Sequence, residues 1–304
     1  METSIIRVND DEGNGLLVIP GLFARALWSG LLLLLIGVPG AAQRMAILTP
    51  DRAESDKVYA AKLEAGLETK FKIVDNSLSD AAYSALRVET PYNLTTEKAS
   101  TLGTSIGCDF YILLRSATLR RSSFKRSEYY ESYAAIYVIS TRTGRLVQWK
   151  LSQFEALTPA EAEILLMKAV PYEVREITRV INSAAAAEIA ELAPPAMEEP
   201  PAEDSAGSKS FRAPIPFRRI KPEYTAQAAL YDVSATIEIL VDLDVTGTVQ
   251  RTLIVRWAGF GLDESVAKTV REMNWRPAER KGRALPMRFL LRYNFKKIEK
   301  LEKE

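Results

Sequence analysis

The sequence predicts an α+β protein with two folded parts joined by a linker, and three observations carry that prediction. Between Gln43 and Ala193, short apolar runs alternate with helical spacings in the order β-α-β-α-β-β-β-α. From Leu192 to Pro216, Pro, acidic and small residues displace the apolar ones, the composition of a semi-extended spacer. Beyond it, two strands of period 2, a helix with one apolar stripe and a third period-2 strand give β-β-α-β. The chain has 304 residues, length for about two domains with real cores. The expected division is an export segment at 1–42, a mixed α/β domain at 43–193, a Pro/acidic linker at 194–216, a ββαβ domain at 217–297 and a charged tail at 298–304.

Composition excludes several kinds of chemistry. There is no His, which removes the commonest general base and the commonest metal ligand together. A single Cys, Cys108, excludes an intrachain disulfide and any Cys-cluster metal site. It stands at the entry to the apolar run "IGCDFYILL", where a buried small hydrophobe is a better reading than a reactive thiol. A net charge of +1 argues against wholesale nucleic-acid binding. The charge is uneven: Ser208–Glu304 holds 19 basic and 12 acidic residues, and Pro194–Gly207 holds four acids and no base. That asymmetry places a basic interaction module behind an acidic linker.

Leu16–Val38 is apolar except for Arg25, Ser29 and the Pro20-Gly21 break, and it supports two readings. As a whole, its 23 residues are long enough to cross a bilayer core of about 30 Å, with Arg25 costing about 2.5–3.5 kcal/mol near the centre. From Ala26, 13 apolar residues follow Arg25 and precede Pro39-Gly40-Ala41-Ala42, the layout of a secretory signal cleaved after Ala42. Both readings export the remainder to the periplasm, free in one case and anchored in the inner membrane in the other.

In the first folded part, "MAILT" and "FKIVD" read as strands around a helix at Glu54–Lys70, with Val58, Ala61, Leu63, Ala65 and Leu67 at helical spacing. A helical region follows to about Ile106, then the strand "DFYILLRSATL", a hairpin turned at Thr143-Gly144 and a long helix at Pro159–Leu192. "MAILTPDR", "FKIVD" and "LTTEKASTLGTSIGCDFYILLRSATL" resemble the amino-terminal domains of TolB and CsgG-type envelope proteins. The loop Arg120–Tyr133 mixes basic residues with Phe124 and three Tyr. This is the footprint of a single-stranded nucleic-acid or anionic-surface binder, or else a solvated hairpin tip, and export argues against nucleic acid.

In the second part, "ILVDLDVTG" matches an aspartate-nucleophile motif, with Asp242 as nucleophile and Asp244 as acid/base of a phosphatase. Only 57 residues follow Gly247, too few for the parallel crossovers that such a site needs, so a hairpin turning at Asp244–Gly247 is the plainer reading. Val233, Ala235, Ile237, Ile239, Val241 and Leu243 share one face of the first strand, and Glu238 and Asp242 lie on the other, the pattern of a half-buried strand. Leu262, Val266, Val270 and Met273 stripe the helix, and Pro277 marks its end. Leu285, Met287, Phe289, Leu291, Tyr293 and Phe295 alternate in the closing strand.

The stretches "KPEYTAQA", "VDLDVTGTVQRTLIV" and "AGFGLDESVAKTVREMNWRPAERKGRALPMRFLLRYNF" resemble the TonB C-terminal domain family over Lys221–Phe295. Leu262-Asp263, Trp275, Pro277-Ala278 and Gly282 carry most of the likeness. Departures are Thr225, Tyr231-Asp232 where the family usually has Gly, and Ala258. The resemblance implies a binding module that is not an enzyme and needs no cofactor or metal. It implies strand addition by an outer-membrane TonB-dependent transporter or another envelope protein, with no nucleic acid, in transmembrane transport. The implied docking segment supplies Leu285, Met287, Arg288, Phe289, Leu290, Leu291, Arg292 and Tyr293. Arg288 and Arg292 either steer an acidic partner or keep an exposed edge soluble. Energised family members carry a His four residues after a Ser on their membrane helix; here Leu33 follows Ser29. That sets an energy-transducing role, with inner-membrane association, as the alternative reading.

Overall fold

The computed structural model describes residues 43–191, 197–201 and 210–296; the expected export segment and the charged tail lie outside them. Among the described residues no helix is long and apolar enough to cross a membrane. The first half contains β1 (Arg44–Leu48), α1 (Glu54–Leu67), β2 (Lys72–Ile73), α2 (Asn76–Ala85), α3 (Thr96–Ile106), β3 (Phe110–Arg121), β4 (Tyr129–Ser140), β5 (Leu146–Ala156) and α4 (Pro159–Ala190). The region read as one helical stretch before Ile106 is thus two helices. Each has its own cap: Asp75 accepts the Ser77 N–H and Thr95 accepts the Lys98 N–H.

The strands form one sheet in the order β2-β1-β3-β4-β5, parallel across β2-β1-β3 and antiparallel from β3 to β5. Strand alternation sends Met45, Ile47, Phe110, Ile112, Ile136 and Val138 to one face, under α1 and α4. Ala46, Leu48, Tyr111, Leu113, Tyr137 and Ile139 point to the other. On α1 the buried stripe is Tyr59, Leu63 and Leu67, whereas Val58, Ala61 and Ala65 are exposed, contrary to the spacing first read. Small apolar residues occupy several faces of this helix, so the bulky side chains in phase with one another decide which face is inward.

The second half contains β6 (Phe211–Arg212), β7 (Ile215–Pro216), α5 (Ala226–Leu230), β8 (Ala235–Leu243), β9 (Val249–Arg256), α6 (Leu262–Glu272), β10 (Trp275–Arg276), β11 (Ala278–Arg280), β12 (Arg283–Leu285) and β13 (Met287–Phe295). Its main sheet runs β13-β8-β9, with small sheets β12-β11-β6 and β10-β7 beside it. The stripe Leu262, Val266, Val270 and Met273 is buried as expected. After Glu272 the chain extends at Met273, Trp275 and Arg276 pair with Pro216 and Ile215, and Pro277 offers no N–H to continue a helix. Lys281 and Gly282, both at positive φ (51° and 76°), turn β11 into β12.

Two expectations change. The segment expected as a free linker is folded at its end, because Phe211–Arg212 and Ile215–Pro216 pair with β11 and β10. The far face of β8 is not solvated: Glu238 and Asp242 are buried, each covered by an arginine from β13.

A spacer reaching about 80 Å has no work to do here, because the two halves pack into one compact unit. A single apolar cluster joins Tyr111, Tyr137 and Ile139 of the first sheet to Trp257, Phe260 and Ile237 of the second half. Polar contacts fix the seam. Trp257 Nε1 donates to the Gly144 carbonyl at 3.1 Å, and the Tyr137 hydroxyl donates to the Ala258 carbonyl at 3.3 Å. The Asn93 amide donates to the carbonyls of Thr236 and Trp257 at 2.8 and 2.7 Å and accepts the Thr236 N–H. Gly259, at φ 73°, lies so close to Trp149 that a Cβ would sit 2.3 Å from its ring.

Candidate functional site at the edge of the closing strand

Strand β13 pairs antiparallel with β8 along its whole length, from Met287 opposite Leu243 to Phe295 opposite Ala235. Nothing else in the main sheet lies beyond it, so β13 is an edge. The opposite edge, β9, ends against the first half, where Arg256 bridges Thr95 and the Trp257 N–H donates to the Leu94 carbonyl. Both outer strands thus carry one isolated bridge, and β13 is the one that borders a groove. There the Arg288 N–H points away from β8, donating to the Glu198 carbonyl at 2.8 Å. Backbone alternation then turns the N–H and C=O groups of Leu290, Arg292 and Asn294 outward, and those of Phe289, Leu291 and Tyr293 toward β8. Among the described residues no strand pairs with β13 on that side beyond Met287.

A groove of about 1020 Å³ runs beside this edge. Its floor includes Met273, Trp275 and Phe289, and its far wall is the proline-rich turn with Ile215, Pro216 and Ile220. Leu290, Ile215 and Phe217 are about half or more exposed (49%, 52% and 69%), which makes an apolar margin around backbone groups unpaired among the described residues. Trp275 supports the floor: its Nε1 donates to the Val270 carbonyl at 3.2 Å and its ring meets Phe289 edge-on.

The residues expected in the docking segment divide into groups. Phe289, Leu290, Leu291 and Tyr293 line the groove, while Met287 is buried beneath the start of the strand. Leu285 does not belong to the edge: Pro286 separates it from β13, and it pairs with Ala278 in the β11-β12 hairpin. Arg288 and Arg292 also line the groove, but neither guanidinium is free. Arg288 grips Asp242 through Nε and Nη2, both at 2.7 Å, and Arg292 Nη2 lies 2.7 Å from Glu238. Each pair is a direct cross-strand neighbour in the β13-β8 register. The unpaired positive charges are instead Arg219 and Lys221, which line the groove without an ion-pair partner among the described residues. These residues and the groove wall were missed in the sequence because they follow a segment whose composition reads as spacer. The available signal was the recurrence of Ile215, Phe217 and Ile220 among its prolines.

The signature aspartate has a structural role. Asp263 is buried near the start of α6, and its carboxylate accepts the N–H groups of Ala258 and Gly259 at 2.7–3.2 Å. Burial outweighs these bonds and pushes its pKa up to about 7. The turn between α5 and β8 explains a departure noted above: Asp232 stands at φ 52°, a conformation that glycine adopts without strain.

The enzyme-like string loses its functional geometry. Asp242 is held by Arg288, and β9 returns antiparallel to β8 where a phosphatase needs a parallel crossover. Asp244 closes the hairpin, accepting from the Thr246 hydroxyl and from the N–H groups of Thr248 and Thr246, and those bonds hold its carboxyl below the usual range. Among the described residues no group of three or more His, Cys, Asp or Glu could hold a metal ion. Burial pushes the Cys108 thiol up to about 11, so it is an inert packing group. In the basic loop, Arg120 pairs with Glu128, Arg121 with Glu131 and Arg126 with Glu155, which leaves a largely neutralised hairpin tip.

A three-stranded sheet closed by a strand that follows "WRPA" and a Gly turn is the arrangement that the family resemblance implied. The C-terminal part of the chain is similar to the TonB C-terminal domain. Residues 220–296 match the family described as Gram-negative bacterial TonB protein C-terminal. No curated protein matched the chain. Among solved structures, the hypothetical protein CT253 of Chlamydia trachomatis is 11% identical, with 45% of this chain and 98% of that one covered, at a TM-score of 0.31. Lipoprotein GNA1162 of Neisseria meningitidis is 13% identical, with 45% and 99% covered and a TM-score of 0.33. The LpoB C-terminal domain of Salmonella enterica is 12% identical, with 38% and 83% covered and a TM-score of 0.26. The TonB match does not extend to the first half, where the TolB/CsgG resemblance rests on the segments quoted above.

Proposed function

We propose that this is an exported, non-enzymatic envelope protein whose TonB-type domain takes up an extended segment of a partner as a fourth strand beside β13. The observation that carries this reading is the edge itself. Leu290, Arg292 and Asn294 face outward with backbone groups that no described residue pairs, next to an apolar groove that can receive alternate side chains of an added strand. Backbone pairing supplies affinity, and the groove with Arg219 and Lys221 selects for apolar side chains flanked by acidic ones. The partner class is an outer-membrane TonB-dependent transporter or another envelope protein. The first half acts as a fixed platform that covers the β9 end and leaves β13 as the edge available for pairing. Energy transduction by a proton-driven motor is disfavoured by the absence of any His.

Photo-crosslinking from a benzoylphenylalanine at Leu290, followed by mass spectrometry of the adduct, tests the proposal in cells. An adduct with an envelope protein is expected, and its absence with normal expression counts against strand addition. Membrane fractionation with N-terminal sequencing separates the periplasmic form, starting near Gln43, from an anchored one.

A further inference from the structure

The open edge is partly occupied by the chain itself. Glu198 forms a parallel bridge with Met287, and its carbonyl accepts the outward N–H of Arg288. Its carboxylate lies 2.8 Å from Arg280 Nη1, and Glu199 and Pro200 line the groove beside Arg288 and Leu290. We propose that Met197–Pro201 is an internal competitor, which holds the first rung of the strand-addition site and must be displaced before a partner pairs along the whole of β13. The inference rests on the reading of β13 as the binding edge.

Charge, direction and proline placement all support this. The segment comes from the stretch with four acids and no base; Glu198 pairs with Arg280, and Glu199 lines the same groove as Arg219 and Lys221. It runs parallel to β13, so the residues after Glu198 continue along the edge toward Leu290. Pro200 and Pro201 have no N–H to donate, which stops the pairing after one rung. The outward groups of Leu290, Arg292 and Asn294 are left as a starting point for an incoming strand, which then displaces Glu198. The segment stays close because its flanks are anchored. Glu191 is held by Arg145 and Arg251, and the Ser210 carbonyl accepts the Lys281 N–H. A tether of this kind keeps a segment at a local concentration of roughly millimolar. If it covers the rung about nine-tenths of the time, a partner that needs that rung binds about tenfold more weakly.

Amide hydrogen exchange on the full chain and crosslinking from Leu290 test the proposal together. In the wild type the Arg288 amide should exchange at least about tenfold more slowly than those of Leu290, Arg292 and Asn294. Replacing Met197–Pro201 by Gly-Ser residues of equal number should bring Arg288 to their rate and raise the adduct yield several-fold. Glu198→Lys with Glu199→Lys, which sets like charge beside Arg280, is a second variant expected to act in the same direction. An Arg288 amide that exchanges freely in the wild type, with adducts intact, overturns the self-contact and leaves strand addition standing. Protection of Arg288 with equal adduct yields from wild type and variants overturns the competitor role. Protection with no adduct from any of them removes the strand-addition reading and the competitor role with it.

Discussion

Proline scanning of β13 separates a binding edge from a merely structural one, because alternate residues face opposite ways. Leu290 turns its N–H outward, so Leu290→Pro removes a donor that no described residue uses and leaves the β8 ladder complete. Phe289 before it is already extended, the backbone that a following proline requires. The expected loss of stability is within about 1 kcal/mol, since edge strands tolerate proline on the open side. Leu291 is opposite Ile239, which is fully buried, and its N–H faces β8. Leu291→Pro loses that bond and orphans the Ile239 carbonyl, at a cost of about 2–4 kcal/mol. For partner binding the ranking reverses relative to stability: Leu290→Pro leaves a partner carbonyl unpaired, about 1–3 kcal/mol or roughly 5- to 150-fold in Kd. Leu290→Ala, which keeps the N–H, controls for the lost side chain. Urea unfolding gives the stability order, and adduct yield from a benzoylphenylalanine at Ile215, on the groove wall, reports binding. Full adduct yield in Leu290→Pro would refute strand addition at this edge, and equal stabilities of the two proline variants would refute the assigned register.

Three further outcomes follow from the same geometry. Because the folded state holds the Asp263 proton up to about pH 7 against an ordinary 3.8, it binds that proton more tightly than the unfolded chain. Stability from this group is therefore greatest below about pH 4 and is lost as pH rises through 7. Urea midpoints of wild type, compared with Asp263→Asn, should fall between about pH 4 and 7, and a rise would contradict the assignment. Arg288→Met strands the buried Asp242 carboxylate and should cost about 3–5 kcal/mol, most of it regained in Arg288→Met with Asp242→Leu; an additive double variant in thermal unfolding would show the pair to be unimportant. Gly259→Ala drives a Cβ into Trp149 at a positive φ, so a loss of about 2–4 kcal/mol and weaker protection of the seam amides are expected by hydrogen exchange; unchanged values would mean that the halves are not tightly docked.

Much of the fold was legible in the sequence because its signals are local. The apolar period of 2 in β8 and β13 and the stripe Leu262, Val266, Val270, Met273 name their own buried faces. Asp244 and Gly247 announce a hairpin through the hydrogen bonds that one side chain makes to its near neighbours. The stripe on α1 was misread because Ala61 and Ala65 carry almost no directional information, and Tyr59 counted for less than its size warranted. Arg288 and Arg292 looked free in the sequence because their partners, Asp242 and Glu238, lie 46 and 54 residues earlier. Register across two strands, rather than spacing within one, brings them together.

By itself the sequence determined the order of the long strands and of α1, α4 and α6, the ending of α6 before Pro277 and the family likeness of Lys221–Phe295, since each depends on backbone preferences and patterns within a few residues. Only the tertiary structure decided that the two halves share one core, that Asn93 and Trp257 pin the seam, and that β13 is the outer strand beside the groove. It also placed an acidic stretch with the composition of a spacer on that edge, at Glu198. Composition shows whether a segment can build a core of its own, but which surface receives it depends on the unpaired backbone groups and charges that folding brings within reach.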